Sequence, residues 1–219
     1  MYCPGDKKID LGYDISMEQI KSVIFDWGGV LIDDPRPGLL KYFADTFGLA
    51  LEVYTPVHDL FLDEFHKGLI SEEAFWQKVS RKLGKSIPKA SSLWTDAFES
   101  IYVPRQKVFA FVSSLRLSNY KTVLLSNTEL PTVEFFRGLG YYDMFDILIF
   151  SCVEGCVKPE RRIYEITLER LGFKARQTVF TDDLEENIQG AEDLGINAII
   201  FKNLEQVKSE LSRLGVKVD

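Results

Sequence analysis

Residues 22–31 have the sequence SVIFDWGGVL, and this stretch decides the fold. An apolar run, residues 22–25, ends at Asp26 and is followed at once by Gly28 and Gly29, which is typical of a buried strand that ends in a turn. The run is continuously apolar rather than alternating, as in strands that are covered on both faces. It therefore predicts the first strand of a parallel sheet, with a carboxylate at its carboxyl end.

Four further apolar runs of the same kind predict further strands. They span residues 121–125, 147–150, 178–181 and 198–201. Segments with helical periodicity alternate with them, at residues 108–117, 159–171, 184–194 and 204–214. Strands and helices in alternation predict an α/β fold with a doubly wound parallel sheet.

Residues 37–104 differ from the rest because they contain no convincing strand. Four helices are predicted there, at residues 39–47, 55–66, 71–83 and 90–101. Their frequent aromatic side chains predict the core of a helical bundle. We therefore predict a small helical cap segment, residues 37–104, inserted into an α/β core of residues 17–36 and 105–219, with residues 1–16 as an N-terminal extension.

Composition narrows the classes of partner. The net charge of -7 disfavours nucleic acid, whose binding needs clustered lysine and arginine. No apolar run reaches the ~18 residues of a membrane span, and residues 1–16 lack the apolar segment of a secretory signal. Cys152 and Cys156 have no further cysteine or histidine cluster nearby, which disfavours a zinc site. We expect a cytoplasmic monomer or dimer with no nucleic-acid or membrane partner.

Polar side chains follow four of the predicted strands, at the edge where open parallel sheets bind ligands. They are Asp26, Ser126, Asn127, Lys158, Asp182 and Asp183. Carboxylates and a lysine on one rim suit a phosphate together with a hard divalent cation such as Mg²⁺. An aspartate can also attack phosphorus and form a covalent phospho-enzyme.

The order and wording of these segments resemble the haloacid dehalogenase superfamily, whose members are mostly phosphatases. Four segments carry the resemblance: FDWGGVL at 25–31, LSNT at 125–128, KPE at 158–160, and FTDD at 180–183 with Asn187 after it. The resemblance covers roughly residues 21–201, and the helical insert lies where that family places its small cap domain. The subgroup whose first motif is Asp-x-Gly-Gly or Asp-x-Gly-Asn looks nearest, and it includes sugar-1-phosphate phosphatases.

The resemblance implies a role for each residue that would handle phosphate. Asp26 would attack phosphorus as the nucleophile. Lys158 would neutralise the nucleophile and the phosphate. Ser126 would hydrogen-bond a phosphoryl oxygen, with Asn127 beside it as a second phosphate-binding residue.

The resemblance also implies a Mg²⁺ site. The ligands would be the carboxylate of Asp26, the backbone carbonyl of Gly28 and, from the fourth motif, Asp183 as the principal ligand. Asp183 is chosen because Asn187 then falls at the family's usual spacing. Asp182 would be a second ligand or an outer partner.

The first motif departs from the family pattern at Gly28. Most phosphatases of the family carry a second aspartate there, which protonates the leaving oxygen and then activates water. Three accounts stay open: a substrate with a good leaving group, a substitute acid such as Asp33, Asp34 or a cap residue, or a slow or inactive enzyme. Asp33 and Asp34 are predicted as turn residues before Pro35.

We predict a phosphatase that hydrolyses a small phosphorylated metabolite, such as a sugar 1-phosphate, through an aspartyl-phosphate intermediate. The alternatives are a dehalogenase with the same nucleophile, which the paired aspartates 182 and 183 disfavour, and a catalytically weak binding protein. The two histidines, His58 and His66, are predicted at surface positions of cap helices, and His66 could instead face the substrate.

Overall fold

A five-stranded sheet forms the centre of the computed structural model, which describes residues 18–218. The strands are β1 (Ser22–Phe25), β2 (Lys121–Ser126), β3 (Ile147–Phe150), β4 (Thr178–Asp182) and β5 (Asn197–Ile200). They lie in the order β3-β2-β1-β4-β5, and every neighbouring pair is parallel. The predicted α/β fold is therefore confirmed, whereas the predicted extension, residues 1–16, lies outside the described residues.

Helices connect the strands and cover the sheet. Within residues 18–218 they are α1 (Arg36–Phe47), α2 (Leu51–His66), α3 (Glu72–Leu83), α4 (Leu93–Ile101), α5 (Gln106–Leu117), α6 (Leu130–Gly138), α7 (Ser151–Glu154), α8 (Arg161–Leu171), α9 (Glu185–Glu192) and α10 (Leu204–Arg213). A short 3₁₀ helix, Ala175–Gln177, precedes β4. None of the helices in this part of the chain is long and apolar enough to cross a membrane.

Apolar side chains are buried on both faces of the sheet. In β1, Val23 and Phe25 belong to one core cluster, together with Phe111 of α5. Ile24 points the other way and joins a second cluster with Tyr164 of α8. Because successive strand residues alternate between two buried faces, the strand reads as a continuous apolar run.

The central position of β1 places Asp26 in the middle of the sheet's carboxyl edge. Phe25, the last residue of β1, is in register with Leu124 of β2 and Thr181 of β4. The backbone N–H of Asp26 donates to the carbonyl of Thr181 at 3.0 Å and continues the ladder. The ends of β2 and β4 are thereby brought beside the carboxylate of Asp26.

Helices α1 to α4 follow β1 and pack around aromatic side chains. The buried aromatic residues are Phe43, Phe47, Tyr54, Phe65, Phe75, Trp76, Trp94 and Phe98. The helical content and aromatic core agree with the sequence prediction, and the boundaries 37 and 104 of the cap segment stay predictions.

Helix ends account for most differences from the sequence prediction. Helix α2 begins at Leu51 rather than at residue 55, so Pro56 lies inside the helix, where its ring removes one backbone hydrogen bond. Helix α4 begins at Leu93 because the Ser92 hydroxyl accepts a hydrogen bond from the N–H of Thr95 and caps the helix. Helices α6 and α7 were absent from the prediction.

Candidate active site

A buried lysine joins two carboxylates at the carboxyl edge of the sheet. The Lys158 ammonium donates to Oδ1 of Asp26 at 2.5 Å and to Oδ2 of Asp182 at 2.6 Å. Asp26 follows β1, Asp182 ends β4, and Lys158 lies in the loop between α7 and α8. Only 4% of the Lys158 surface and none of the Asp182 surface is exposed. The structure thus brings together three residues that are far apart in the chain.

Burial and charge act against each other in this group. Burial alone would lower the pKa of Lys158, but the charges of Asp182 and Asp26 outweigh it and raise the pKa above its ordinary value. Burial raises the pKa of the Asp26 carboxyl, and the positive charge of Lys158 opposes that rise. Lys158 therefore stays charged and compensates part of the negative charge around it.

A third carboxylate completes the cluster. One oxygen from each of Asp26, Asp182 and Asp183 lies within 4.8 Å of the other two, and within residues 18–218 this is the one such group of acidic, histidine or cysteine side chains. Burial, followed by the charge of Asp182, raises the pKa of half-buried Asp183. Three carboxyl groups thus lie around one ammonium, and oxygen ligands are those that Mg²⁺ prefers. The residues present therefore fit a divalent cation.

Asp182 is fully engaged by the protein. Its Oδ1 accepts hydrogen bonds from the Leu184 backbone N–H at 2.9 Å and from Asn187 Nδ2 at 3.0 Å. Its Oδ2 accepts from Lys158 and, at 3.1 Å, from Asn187 as well. The predicted fourth motif thus includes Asn187 as the residue that orients Asp182.

The loop after Asp26 passes close to the carboxylates. Gly29 has a φ of +77°, and a Cβ built there would lie 2.0 Å from Oδ2 of Asp183. A Cβ on Gly28 would lie 3.1 Å from Cδ of Pro35. The sequence marks Gly28 and Gly29 as a turn, but the close approach between Gly29 and Asp183 is visible only in the fold.

Asn127 binds the backbone of Lys158. Its Nδ2 donates to the Lys158 carbonyl at 2.9 Å, and its Oδ1 accepts from the Lys158 N–H at 2.8 Å. Each polar atom of the side chain thus makes one hydrogen bond to the lysine backbone and holds it in place, and the phosphate contact expected of Asn127 stays a prediction. Ser126, the last residue of β2, is 4% exposed and lines the same cavity as Asp26.

A cavity of about 420 Å³ lies over these residues. Its floor includes Asp26, Gly28, Ser126, Lys158 and Asp183. Helices α1, α2 and α4 supply apolar side chains to its wall. They are Leu39, Leu40, Leu62, Trp94 and Phe98. The cavity therefore joins a polar floor to a largely apolar wall.

The surface prediction for His58 is wrong. His58 is 3% exposed and lines the cavity, because the aromatic side chains of α1 to α4 enclose its ring. His66 also lines the cavity, and its Nε2 lies 2.6 Å from Oε1 of the buried Glu129. Sequence reasoning missed Glu129, although it follows Ser126 by three residues in the same strand-end loop.

Asp33 and Asp34, the candidate substitute acids, both accept hydrogen bonds from the protein, and two cysteines lie outside the carboxylate cluster. Asp33 accepts a hydrogen bond from Nε of Arg105 at 2.8 Å, and Arg105 also donates to the Gly29 carbonyl. Asp34 lines the cavity, and its Oδ1 accepts from the Arg36 N–H at 3.0 Å, as a turn residue does. Cys152 is half-buried and Cys156 is buried, both as free thiols outside the carboxylate cluster.

Comparisons with known proteins point in one direction. A family model described as haloacid dehalogenase-like hydrolase matches residues 20–195. Acyl-CoA dehydrogenase family member 10 of Mus musculus is 29% identical over 210 residues, which cover 89% of this chain but 19% of that protein, so the chain spans about a fifth of its length.

Two bacterial proteins are similar over nearly their whole length. D-ribitol-5-phosphate phosphatase of Bacteroides thetaiotaomicron is 26% identical over 212 residues, covering 88% of this chain and 97% of that protein. A HAD family enzyme of Bacteroides thetaiotaomicron, solved in complex with magnesium and inorganic phosphate, matches with a TM-score of 0.68 at 26% identity, covering 84% of this chain and 94% of the other.

Proposed function

The chain belongs to the haloacid dehalogenase-like hydrolases, and we propose that it is a Mg²⁺-dependent phosphatase that hydrolyses a small phosphorylated metabolite through a phospho-enzyme at Asp26. One observation carries this proposal: Lys158 lies between Asp26 and Asp182, at 2.5 and 2.6 Å, with Asp183 in the same cluster. A nucleophilic carboxylate, a fixed positive charge and a set of oxygen ligands then share one cavity floor.

In the proposed reaction, an oxygen of Asp26 forms a bond to phosphorus as the bond from phosphorus to the leaving oxygen breaks. The leaving oxygen takes its proton from water. A second water then attacks phosphorus as the bond from phosphorus to Asp26 breaks, which releases phosphate and restores the carboxylate. Lys158 balances charge near the transferring group, and the Ser126 hydroxyl donates to a phosphoryl oxygen. Because these groups are held in place before the substrate binds, they stabilise the transition state without reorganisation.

Asp26, Asp183 and the Gly28 carbonyl would hold Mg²⁺, which when bound supplies charge stabilisation to the phosphoryl oxygens. Asp182 is the less suitable ligand because both of its oxygens already accept hydrogen bonds. We assign Asp182 to orienting Lys158.

The absence of an acidic side chain at Gly28 restricts which leaving groups suit the site. No side chain at this position can protonate the leaving oxygen, and such general acid help is typically worth ~10²–10⁴ in rate. Substrates whose leaving group needs little protonation, such as anomeric phosphates, therefore suit the site best. The relative that acts on a polyol phosphate supports a small, oxygen-rich organic part, which includes the sugar phosphates expected from the sequence.

Dehalogenation by Asp26 is the weaker candidate. Dehalogenases of this superfamily need no metal and usually lack the paired aspartates. Here Asp182 and Asp183 are present and lie within 4.8 Å of the Asp26 carboxylate.

A phosphate-release screen with and without Mg²⁺ tests the proposal. The panel should include sugar 1-phosphates, sugar 6-phosphates and phosphopeptides. We expect Mg²⁺-dependent turnover of at least one small phosphate, its loss in Asp26→Asn, and its retention in Asp45→Asn, which changes an exposed carboxylate of α1. No turnover by the wild type, or equal turnover by Asp26→Asn, contradicts the proposal.

A further inference from the structure

The cap segment's share of the cavity wall is apolar except at two histidines. His66 is paired through Nε2 with Glu129. His58 is more deeply buried, at 3% exposure, and it lines the cavity among leucine and aromatic side chains. A polar group in such a wall requires a partner, because leaving it unpaired costs free energy.

The His58 ring is held in one orientation. It stacks on Phe43, with ring centroids 5.9 Å apart and planes at 22°, and on Trp94 at 5.7 Å and 16°. Its Nδ1 lies 3.1 Å from the hydroxyl of Tyr54, which is fully buried. Two aromatic faces and one hydrogen bond therefore fix the ring.

The hydrogen bond to Tyr54 favours one tautomer of the His58 ring. Within residues 18–218, the Tyr54 hydroxyl has no other acceptor for its hydrogen, so Nδ1 of His58 accepts. The proton of the neutral ring then lies on Nε2. Within residues 18–218, the hydrogen bond of the ring to another side chain is the one at Nδ1, and the ring lines the cavity, so Nε2 is left for a bound ligand.

The ring is neutral at ordinary pH. Burial lowers the pKa of His58 to about 4, although the charges of Asp59 and Glu129 oppose the change and those of Arg36 and His66 reinforce it. A neutral imidazole cannot protonate a leaving group as an imidazolium would. It can offer a fixed N–H donor to an oxygen.

We propose that His58 is a specificity-determining residue, whose Nε2 donates a hydrogen bond to an acceptor oxygen on the organic part of the substrate. The inference rests on the proposed phosphatase function and adds the substrate class: a phosphate monoester whose organic part has an apolar flank and an ether, hydroxyl or carbonyl oxygen. A purely hydrocarbon ester would leave the buried N–H unpaired, which disfavours it by about tenfold in kcat/KM.

Kinetics on matched substrates test the donor. We expect His58→Phe, which keeps an aromatic ring in the stack, to lower kcat/KM about tenfold on the wild type's preferred sugar phosphate, mainly through KM. On phenyl phosphate, whose organic part has no acceptor oxygen, kcat/KM should not fall and should rise by up to about tenfold, because the variant has no N–H to leave unpaired. His58→Gln, which keeps an N–H near the position of Nε2, should recover most of the loss.

A direct measurement on the unmodified chain avoids any folding defect of the variants. With only two histidines in the sequence, nitrogen-15 labelling of histidine resolves each ring by NMR. We expect a neutral His58 ring with its proton on Nε2 at neutral pH, and a shift toward the other tautomer in Tyr54→Phe.

The outcomes separate the two proposals. If the wild type turns over no phosphate, the proposed function fails, whatever the tautomer. If the wild type turns over phosphates but His58→Phe lowers kcat/KM equally on phenyl phosphate and on the sugar phosphate, or lowers it on neither, His58 does not have the proposed role. A proton on Nδ1, or a charged ring at neutral pH, also overturns it.

Discussion

Gly29 and Asp183 approach so closely that a methyl group on Gly29 would lie 2.0 Å from Oδ2 of Asp183. Two separate constraints therefore act on this glycine: its φ of +77°, which L side chains rarely adopt, and the carboxylate beside it. The contact joins the loop after Asp26, the proposed nucleophile, to Asp183, the residue that we propose as the principal metal ligand.

Gly29→Ala should displace Asp183 and weaken Mg²⁺ binding. We expect a loss of stability of about 2–4 kcal/mol from the left-handed backbone and the overlap together, and at least a tenfold higher Mg²⁺ requirement in phosphate release. Gly84→Ala is the matched control, because Gly84 has a φ of +65° with no atom near its Cβ position. The Gly84→Ala variant should lose about 1 kcal/mol of folding stability and need the same Mg²⁺ concentration as the wild type. Equal Mg²⁺ requirements in the two variants would show that the contact does not matter for the metal.

The sheet could be predicted from the sequence because each strand is a short apolar run that is buried on both faces. The position of the site could be predicted because polar residues follow those runs at the carboxyl edge of the sheet. The sequence did not reveal close approaches between segments far apart in the chain. Neither the contact of Gly29 with Asp183 nor the pairing of His66 with Glu129 follows from local pattern. His58 was placed wrongly because helical periodicity alone did not show that aromatic residues from α1, α3 and α4 would enclose it.

Asn127→Ala should slow the chemical step without unfolding the protein. The side chain holds the Lys158 backbone through two hydrogen bonds of 2.9 and 2.8 Å. A displacement of about 1 Å in a charge-stabilising group can cost ~10²-fold in rate. We expect kcat to fall by about that factor while KM changes little, measured by steady-state phosphate release.

Asn127→Asp provides a graded comparison. Its carboxylate can still accept from the Lys158 N–H but cannot donate to the Lys158 carbonyl, so its kcat should lie between those of the wild type and Asn127→Ala. A large rise in KM with unchanged kcat would instead assign Asn127 to phosphate binding, the role first expected from the sequence.

His58 should make the folded state less stable in mild acid. Its pKa in the folded protein is lowered to about 4 by burial, whereas an unfolded histidine has a pKa of about 6.5. Between these values the unfolded chain binds the proton more readily, so this contribution to stability is complete above about pH 6.5 and is lost as the pH falls toward 4.

Chemical denaturation at about pH 7.5 and pH 5 measures this effect. From pH 7.5 to pH 5, the free energy of unfolding of the wild type should fall by about 2 kcal/mol more than that of His58→Phe. The charges of Asp59, Glu129, Arg36 and His66 act on His58, and the comparison with His58→Phe removes what these groups contribute equally to both proteins. An equal acid sensitivity of both proteins would show that the folded ring is charged at pH 5.

Gly28→Asp should restore the acid that the first motif lacks. Gly28 lines the cavity beside Asp26, and its backbone φ does not lie in the left-handed region. A Cβ there would meet Cδ of Pro35 at 3.1 Å, so Pro35 must yield by a few tenths of an ångström. If it does, an alkyl phosphate with a poor leaving group should be hydrolysed faster by up to ~10²–10⁴, and the rate should depend less steeply on the pKa of the leaving alcohol.

Gly28→Asn is the control for side-chain size, because asparagine matches aspartate in size and cannot act as a general acid. Adding Pro35→Ala to both variants removes the close contact with residue 28. It shows whether that contact masks an increase in the rate of hydrolysis. A series of phosphates with leaving groups of graded pKa then decides the point. If Gly28→Asp is no faster than Gly28→Asn on the poorest leaving groups in either background, an aspartate at position 28 does not act as a general acid, and Glu129 with His66 is the pair in the cavity to change next.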